Sequence, residues 1–193
     1  VESNLMVDVN PSNVKLRDRA VRIVGALTGV DRPTAQTGLE NADWHVKAAL
    51  AKLRRQIGTV MQQGRLAPGN LRDNIAGPHN VSEDDIWRAA HLAAVDEDIR
   101  AMPMQLNTLV LDGAAAFSGG QVQRLMIARS LVAKPPIVVF DEATSALDAC
   151  TQALVVERVG QLRCTRIVIA HRFSTLRQAD RVYVMEAGRI TES

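Results

Sequence analysis

Four short stretches carry the residues that could do chemistry. The apolar run PIVVF, residues 136–140, ends in Asp141 and Glu142. An apolar strand that ends in a carboxylate delivers it to the carboxyl edge of a sheet, where α/β proteins bind ligands. Asp141 could there hold Mg²⁺ through water, because Mg²⁺ takes oxygen ligands in octahedral array. Glu142 could polarise an attacking water. The same pair can equally close a strand in a solvated acidic turn. The stretch FSGGQ, residues 117–121, opens a helical pattern. The Ser118 hydroxyl, the N–H groups of Gly119, Gly120 and Gln121 and the positive end of a helix dipole make a place for an anion. Ser-Gly-Gly is also ordinary loop composition. Gln62 ends the apolar stretch IGTVM, and His171 ends RIVIA. A strand-end amide can ligate a metal or orient water, and a strand-end imidazole can donate to a phosphate oxygen. Each, taken alone, can also be a plain structural residue.

The elements that must position these groups follow from periodicity. Residues 51–193 read as alternating strands and helices. IGTVMQ is a short strand, and NLRDNIAG and SEDDIWRAAHLAAV are helices, the second with Ser82 and Asp85 spaced as a capping box. GGQVQRLMIARSLVAK is a helix stopped by Pro135 and Pro136. PIVVFDE and TRIVIAHR have the continuous apolar character of strands buried in a parallel sheet. TQALVVERVGQL is a helix, TLRQA a short one, and DRVYVMEAGRI a terminal hairpin turning at 186–188. Residues 1–50 are different. SNVKLRDRAVRIVGALTG predicts a helix with Ser12 or Asn13 as N-cap and Gly29 at its end; Leu16, Ala20, Ile23, Val24 and Leu27 share its buried face. RPTAQTGLENA predicts a second helix with Pro33 in its first turn. DWHVKAALAKLRRQ predicts a third, capped by Asp43, with Val46, Ala49, Leu50 and Leu53 inward.

Composition narrows the classes. The 193 residues can bury a real core. A formal charge of +2 gives no electrostatic case for nucleic acid or a charged membrane surface, and 3% aromatic residues argue against a base-stacking surface. Cys150 and Cys164 have no metal spacing, which favours a reducing compartment. No apolar run reaches spanning length, so a link to a membrane is expected to run through a partner.

Order and spacing add a resemblance. LRRQIGTVMQQGRLAPGNLRDNI, FSGGQVQRLMIARSLVAKPPIVVFDEATSALD and RIVIAHRFSTLRQADRVYVMEAGRI closely resemble the ATP-binding cassette ATPases, particularly the exporter type, over about residues 52–193. The resemblance implies an α/β fold: a partial P-loop NTPase core with a helical signature subdomain at about 66–133. It also implies ATP and Mg²⁺ as ligands. Gln62 resembles the Q-loop glutamine that senses Mg²⁺ and couples to the transmembrane partner. Ser118, Gly119, Gly120 and Gln121 resemble the signature motif, with Phe117 in place of the commoner Leu. Asp141 resembles the Walker B aspartate, Glu142 the general base, Ser145 to Asp148 the D-loop that reaches across a dimer, and His171 the switch histidine. The implied partners are a transmembrane domain, docking near GRLAPGNLRDNI, and a second nucleotide-binding domain. The implied location is cytoplasmic, at the inner membrane through the partner.

The chain also departs from that family. No Gly-Lys-Ser or Gly-Lys-Thr occurs in the 193 residues, so the lysine and backbone nest that hold the β- and γ-phosphates are missing from them. Residues 4–50 instead resemble the C-terminal helical segment of N-acetylmuramic acid 6-phosphate etherase, in NLMVDV, in Asn13, Lys15 and Arg19, and in the VK-x-A of the third helix. The expected layout is a three-helix bundle over 1–50, joined near 48–53 to a truncated cassette domain over 51–193. In cassette ATPases the phosphate-loop strand lies between the strand of His171 and that of VYVME. Its loss should leave two unpaired apolar edges, with the bundle beside the gap but supplying no strand. The expected function is an incomplete ATP-binding module that needs a partner. A non-enzymatic fusion that keeps the fold, or a sugar-phosphate module, are the alternatives.

Overall fold

The computed structural model describes residues 14–62, 64–111, 116–170, 179–186 and 189–192. They fall into two compact units, divided between Ile57 and Gly58. The first holds three helices, α1 (Val14–Thr28), α2 (Arg32–Glu40) and α3 (Val46–Arg54). Ala20, Ile23 and Val24 of α1 are buried against Ala35 and Leu39 of α2 and Val46, Ala49, Leu50 and Leu53 of α3. The helical spacing of these residues puts them on one face each, and that face is the core. Asp31 caps α2 by accepting from Thr34 N–H at 3.0 Å. The expected N-cap residues Ser12 and Asn13 lie outside the described residues.

Asp43 does not cap α3, contrary to expectation. Asp43 and Trp44 have φ of 47° and 62°, and Trp44 N–H donates back to Leu39 O at 2.7 Å. The turn closes the end of α2, and α3 starts only at Val46. The Trp44 ring is covered by the Arg17 guanidinium, 4.7 Å from its centroid.

The second unit is α/β. Strands β1 (Ile57–Val60), β4 (Ile137–Asp141) and β5 (Thr165–Ile169) form a sheet in the order β1-β4-β5. β4 and β5 run parallel, from Ile137 opposite Thr165 to Asp141 opposite Ile169. Between β1 and β4 lies a mainly helical insertion. It holds β2 (Gly69–Asn70), α4 (Leu71–Ala76), α5 (Glu83–Leu92), α6 (Asp96–Ala101), β3 (Leu109–Val110) and α7 (Gly119–Leu131). Helix α8 (Ala149–Gly160) connects β4 to β5, and β6 (Val184–Glu186) pairs antiparallel with β7 (Arg189–Glu192) in a separate hairpin.

One continuous core joins the sheet to the helices: Val60, Val138 and Phe140 pack with Ile75, Ile86, Leu125, Ile127 and Leu131. Each such Leu or Ile contributes about 2 kcal/mol by leaving water. The core also takes Val155 and Val159 of α8.

β5 departs from expectation. TRIVI reads as a buried strand, yet all five of its residues are exposed. Among the described residues nothing pairs with its outer edge. An apolar strand is buried only when layers cover it, so composition alone mispredicts β5. The short helix α6 was also not expected. No side chain caps it at Val95, and its only start signal is the acidic first turn Asp96, Glu97 and Asp98. The expected helix TLRQA falls almost wholly outside the described residues.

Candidate functional site

Helix α7 and the end of β4 bring the chemistry together. α7 starts at a reciprocal cap. Ser118 Oγ accepts from Gln121 N–H at 3.2 Å, and Ser118 N–H donates to Gln121 Oε1 at 3.0 Å. The Gly119 and Gly120 N–H groups keep the partnerless position of any helix start. The Ser118 hydroxyl oxygen is spent on the cap, but its proton is still available to donate. Gln121 reaches back to α6, where its Nε2 donates to Asp98 Oδ1 at 2.8 Å.

At the carboxyl end of β4, Gln62 meets Glu142. Gln62 Nε2 donates to Glu142 Oε2 at 2.9 Å, across 80 positions of sequence. Gln62 follows β1 and Glu142 follows β4, so the sheet order itself brings the two chain ends together. Glu142 has φ of 49°, a left-handed conformation that costs a non-glycine residue about 1–2 kcal/mol. Its N–H donates to Ile169 O at 3.0 Å, which ties the turn to the end of β5. Asp141 stands beside it, half-buried.

Asp148 closes the same segment. Its Oδ1 accepts from Cys150 N–H at 3.1 Å and from Thr151 N–H at 3.0 Å, capping α8. The Thr151 N–H bond, with that of Cys150, holds the Asp148 carboxyl below the usual carboxylate range. The start of α7 also touches this segment. A Cβ placed on Gly120 would lie 3.3 Å from Ala146 O, so glycine there permits the close approach.

Of the residues singled out in the sequence, the structure joins Gln62 directly to Glu142 and places Gly120 against the 145–148 turn. It gives no direct contact between the Ser118 cap and Glu142. His171 lies outside the described residues, two positions beyond the end of β5. Sequence reasoning missed Gln123, Asp98 and Arg124. For Gln123 and Arg124 the signal was a run of polar residues inside a helix that also buries Leu125, Ile127 and Ala128; Asp98 stands in the acidic first turn of α6.

The donors at the carboxyl edge suit Mg²⁺: a carboxylate at Asp141, with the Glu142 carboxylate and the Gln62 amide close by. Among the described residues no cluster of three or more acidic, His or Cys side chains could by itself cage a metal.

A family model described as ABC transporter matches residues 23–145. The chain belongs to the ABC transporter family. The ABC match reaches back over α2, α3 and the end of α1, whose residues are helical here. An ABC transporter ATP-binding protein of Bacillus subtilis, YwjA, is 44% identical over 146 residues, which are 74% of this chain and 25% of the relative. The toxin RTX-I translocation ATP-binding protein of Actinobacillus pleuropneumoniae is 45% identical over 144 residues, 72% of this chain and 20% of the relative. The mycobactin import ATP-binding/permease protein IrtB of Mycolicibacterium thermoresistibile is 42% identical over 142 residues, 72% of this chain and 24% of the relative. The chain thus matches about a quarter or less of the length of these ABC relatives. A bacterial Atm1-family ABC exporter with ATP bound superimposes with a TM-score of 0.70 at 36% identity, over 77% of this chain and 26% of that one. Among the described residues no helix is long and apolar enough to cross a membrane.

Proposed function

We propose that residues 58–193 are the signature-bearing part of an ABC ATPase module, one that works on a nucleotide gripped by a partner. The observation that carries this reading is the Gln62–Glu142 hydrogen bond at the carboxyl edge of the sheet, in a chain of this family. Glu142 is the general base in this reading. The Gln62 N–H donates to Glu142 Oε2 and orients the carboxylate that would take a proton from water. Ser118, Gly119, Gly120 and Gln121 face a γ-phosphate held by the second nucleotide-binding domain, the glycine N–H groups and the Ser118 proton donating to it. Asp148 fixes the start of α8 and with it the 145–148 segment that would reach across to that domain. His171 takes the switch role by resemblance. Asp141 and Gln62 would hold Mg²⁺ through water, and the ion would neutralise charge on the phosphate oxygens.

The division of labour rests on the residues that precede residue 58 in sequence. Described residues 14–54 form α1, α2 and α3, with no strand leading into a Gly-rich loop. The 193 residues hold no Gly-Lys-Ser or Gly-Lys-Thr. A transmembrane partner would dock beside α4, where Arg72, Glu83, Trp87, Met104 and Leu106 line a cavity of about 340 Å³. It would hold the module at the cytoplasmic face of a membrane. The cargo is not assigned: the relatives are named for toxin translocation and for mycobactin import.

The test pairs the 193-residue chain with a cassette domain that carries its own phosphate loop. Alone, the chain should gain no thermal stability from millimolar MgATP. Mixed, it should raise ATP turnover above the sum of the parts, and Glu142→Gln should remove that increment. Micromolar ATP binding by the chain alone, with turnover abolished by Glu142→Gln, would show that the triphosphate grip lies within these residues.

A further inference from the structure

Gln123 lies on α7 two residues beyond Gln121, and its amide spans the turn that follows β4. Its Nε2 donates to Glu142 O at 3.1 Å and to Ser145 Oγ at 3.2 Å. Its Oε1 accepts from Ala146 N–H at 2.9 Å. One side chain thus engages both ends of the stretch 142–146, using both its donor and its acceptor. Glu142 sits in the left-handed region at φ 49°, which a non-glycine residue keeps only where its surroundings over-determine it. Here the Glu142 N–H is held by Ile169 O and its carbonyl by Gln123. With both flanking peptide groups fixed, the direction of the Glu142 side chain is fixed, and it leads to Gln62.

We propose that Gln123 is a positioning residue for Glu142. It holds the 142–146 turn so that the carboxylate meets Gln62, and it makes α7 a strut between the Ser118–Gly120 cap and that carboxylate. A rotation of α7 would then carry the carboxylate with it. Gly120 lets the start of α7 pack close to this turn, since a Cβ there would lie 3.3 Å from Ala146 O. The catalytic consequence rests on the function proposed above. The positioning itself can be read without ATP.

The test uses side-chain amide resonances of the ¹⁵N-labelled full chain, with Gln123→Met as a near-isosteric variant. Gln62 reports contact with Glu142. Gln121, on the same helix but bonded to Asp98, reports the integrity of α7. In Gln123→Met the Gln62 signal should move to the position of a free amide, the Ala146 N–H should exchange about tenfold faster, and the Gln121 signal should stay. Gln123→Glu keeps the acceptor and loses the donor, so Ala146 should stay protected while Gln62 still shifts. An unmoved Gln62 signal in Gln123→Met would overturn the proposal. So would Gln121 moving together with Gln62, since that would mean general loosening of the helix. Failure of the mixed ATPase assay would leave these signals unchanged, so the two readings fail separately.

Discussion

Arg124 of α7 grips Asp98 of α6 with two nitrogens, Nη1 at 2.7 Å from Oδ2 and Nη2 at 3.3 Å from Oδ1. Gln121 adds a third bond to the same carboxylate, so the start of α7 is fastened to α6. Only 14% of the Arg124 side chain and 25% of the Asp98 side chain are exposed, so the pair is poorly screened. Arg124→Met should therefore destabilise the second unit by about 2 kcal/mol, measured by urea unfolding. Burial by itself would raise the Asp98 carboxyl, but the bonds from Gln121 and Arg124 and the guanidinium charge outweigh it and hold the group below the ordinary 3.8. A carboxyl depressed in the fold adds stability above its unfolded value, lost as pH falls through its folded value. Asp98→Asn should thus flatten the acid limb of stability below about pH 4, leaving a constant deficit at neutral pH.

Gly58 of β1 admits no side chain. A Cβ there would lie 2.2 Å from Ser130 O and 2.9 Å from Pro135 Cγ, at the end of α7. The carbonyl is backbone and the proline ring is rigid, so neither can step aside. Gly58→Ala should cost about 3 kcal/mol or more, or prevent folding. Gly119→Ala is the control, because its Cβ would meet only Ala146 Cβ at 3.9 Å. That variant should unfold at the urea concentration of the unsubstituted chain.

Local patterns made much of this legible. The Ser118 cap, the stop of α7 before Pro135, and the strand that ends at Asp141 all depend on neighbours in sequence. The Gln62–Glu142 meeting was not legible: the resemblance implied a role for each residue but no contact between them, and nothing local links residues 80 positions apart. Gln123 was invisible for a different reason. A polar residue on an amphipathic helix reads as solvent-facing, and its partners lie 19 to 23 positions away. β5 was misread because burial depends on the layers around a strand, not on its own apolar content.

Asp148 separates cap from charge. Its carboxylate accepts two backbone N–H bonds at the start of α8. Asn can accept the same bonds without the charge. Asp148→Ala should lower the melting temperature, and Asp148→Asn should restore most of the loss. The Thr151 N–H bond keeps the Asp148 carboxyl below 3.8, so the cap of the unsubstituted chain weakens only as pH falls past that value. The Asn variant should show no such weakening. If Asn fails to rescue Ala at neutral pH, the carboxylate charge and not the cap bond holds the helix start.

The outer edge of β5 calls for a partner or a guard. Ile167 is 51% exposed and Ile169 50%, and no acidic side chain lies along the strand. Arg166 gives no protection, because its guanidinium is turned onto the carbonyls of Val159, Gly160 and Leu162 at the end of α8. An apolar edge with unpaired backbone groups and no inward charge templates edge-to-edge association. The purified chain should therefore associate with rising concentration, read by light scattering. Ile167→Lys should suppress this, since a lysine cannot be buried between two paired edges without a cost. Its melting temperature should stay within about 2 °C of the unsubstituted chain, because a half-exposed site loses little packing. Equal scattering from both proteins would mean that association runs through another surface, with the β6–β7 hairpin and its exposed Met185 and Ile190 next to be tested.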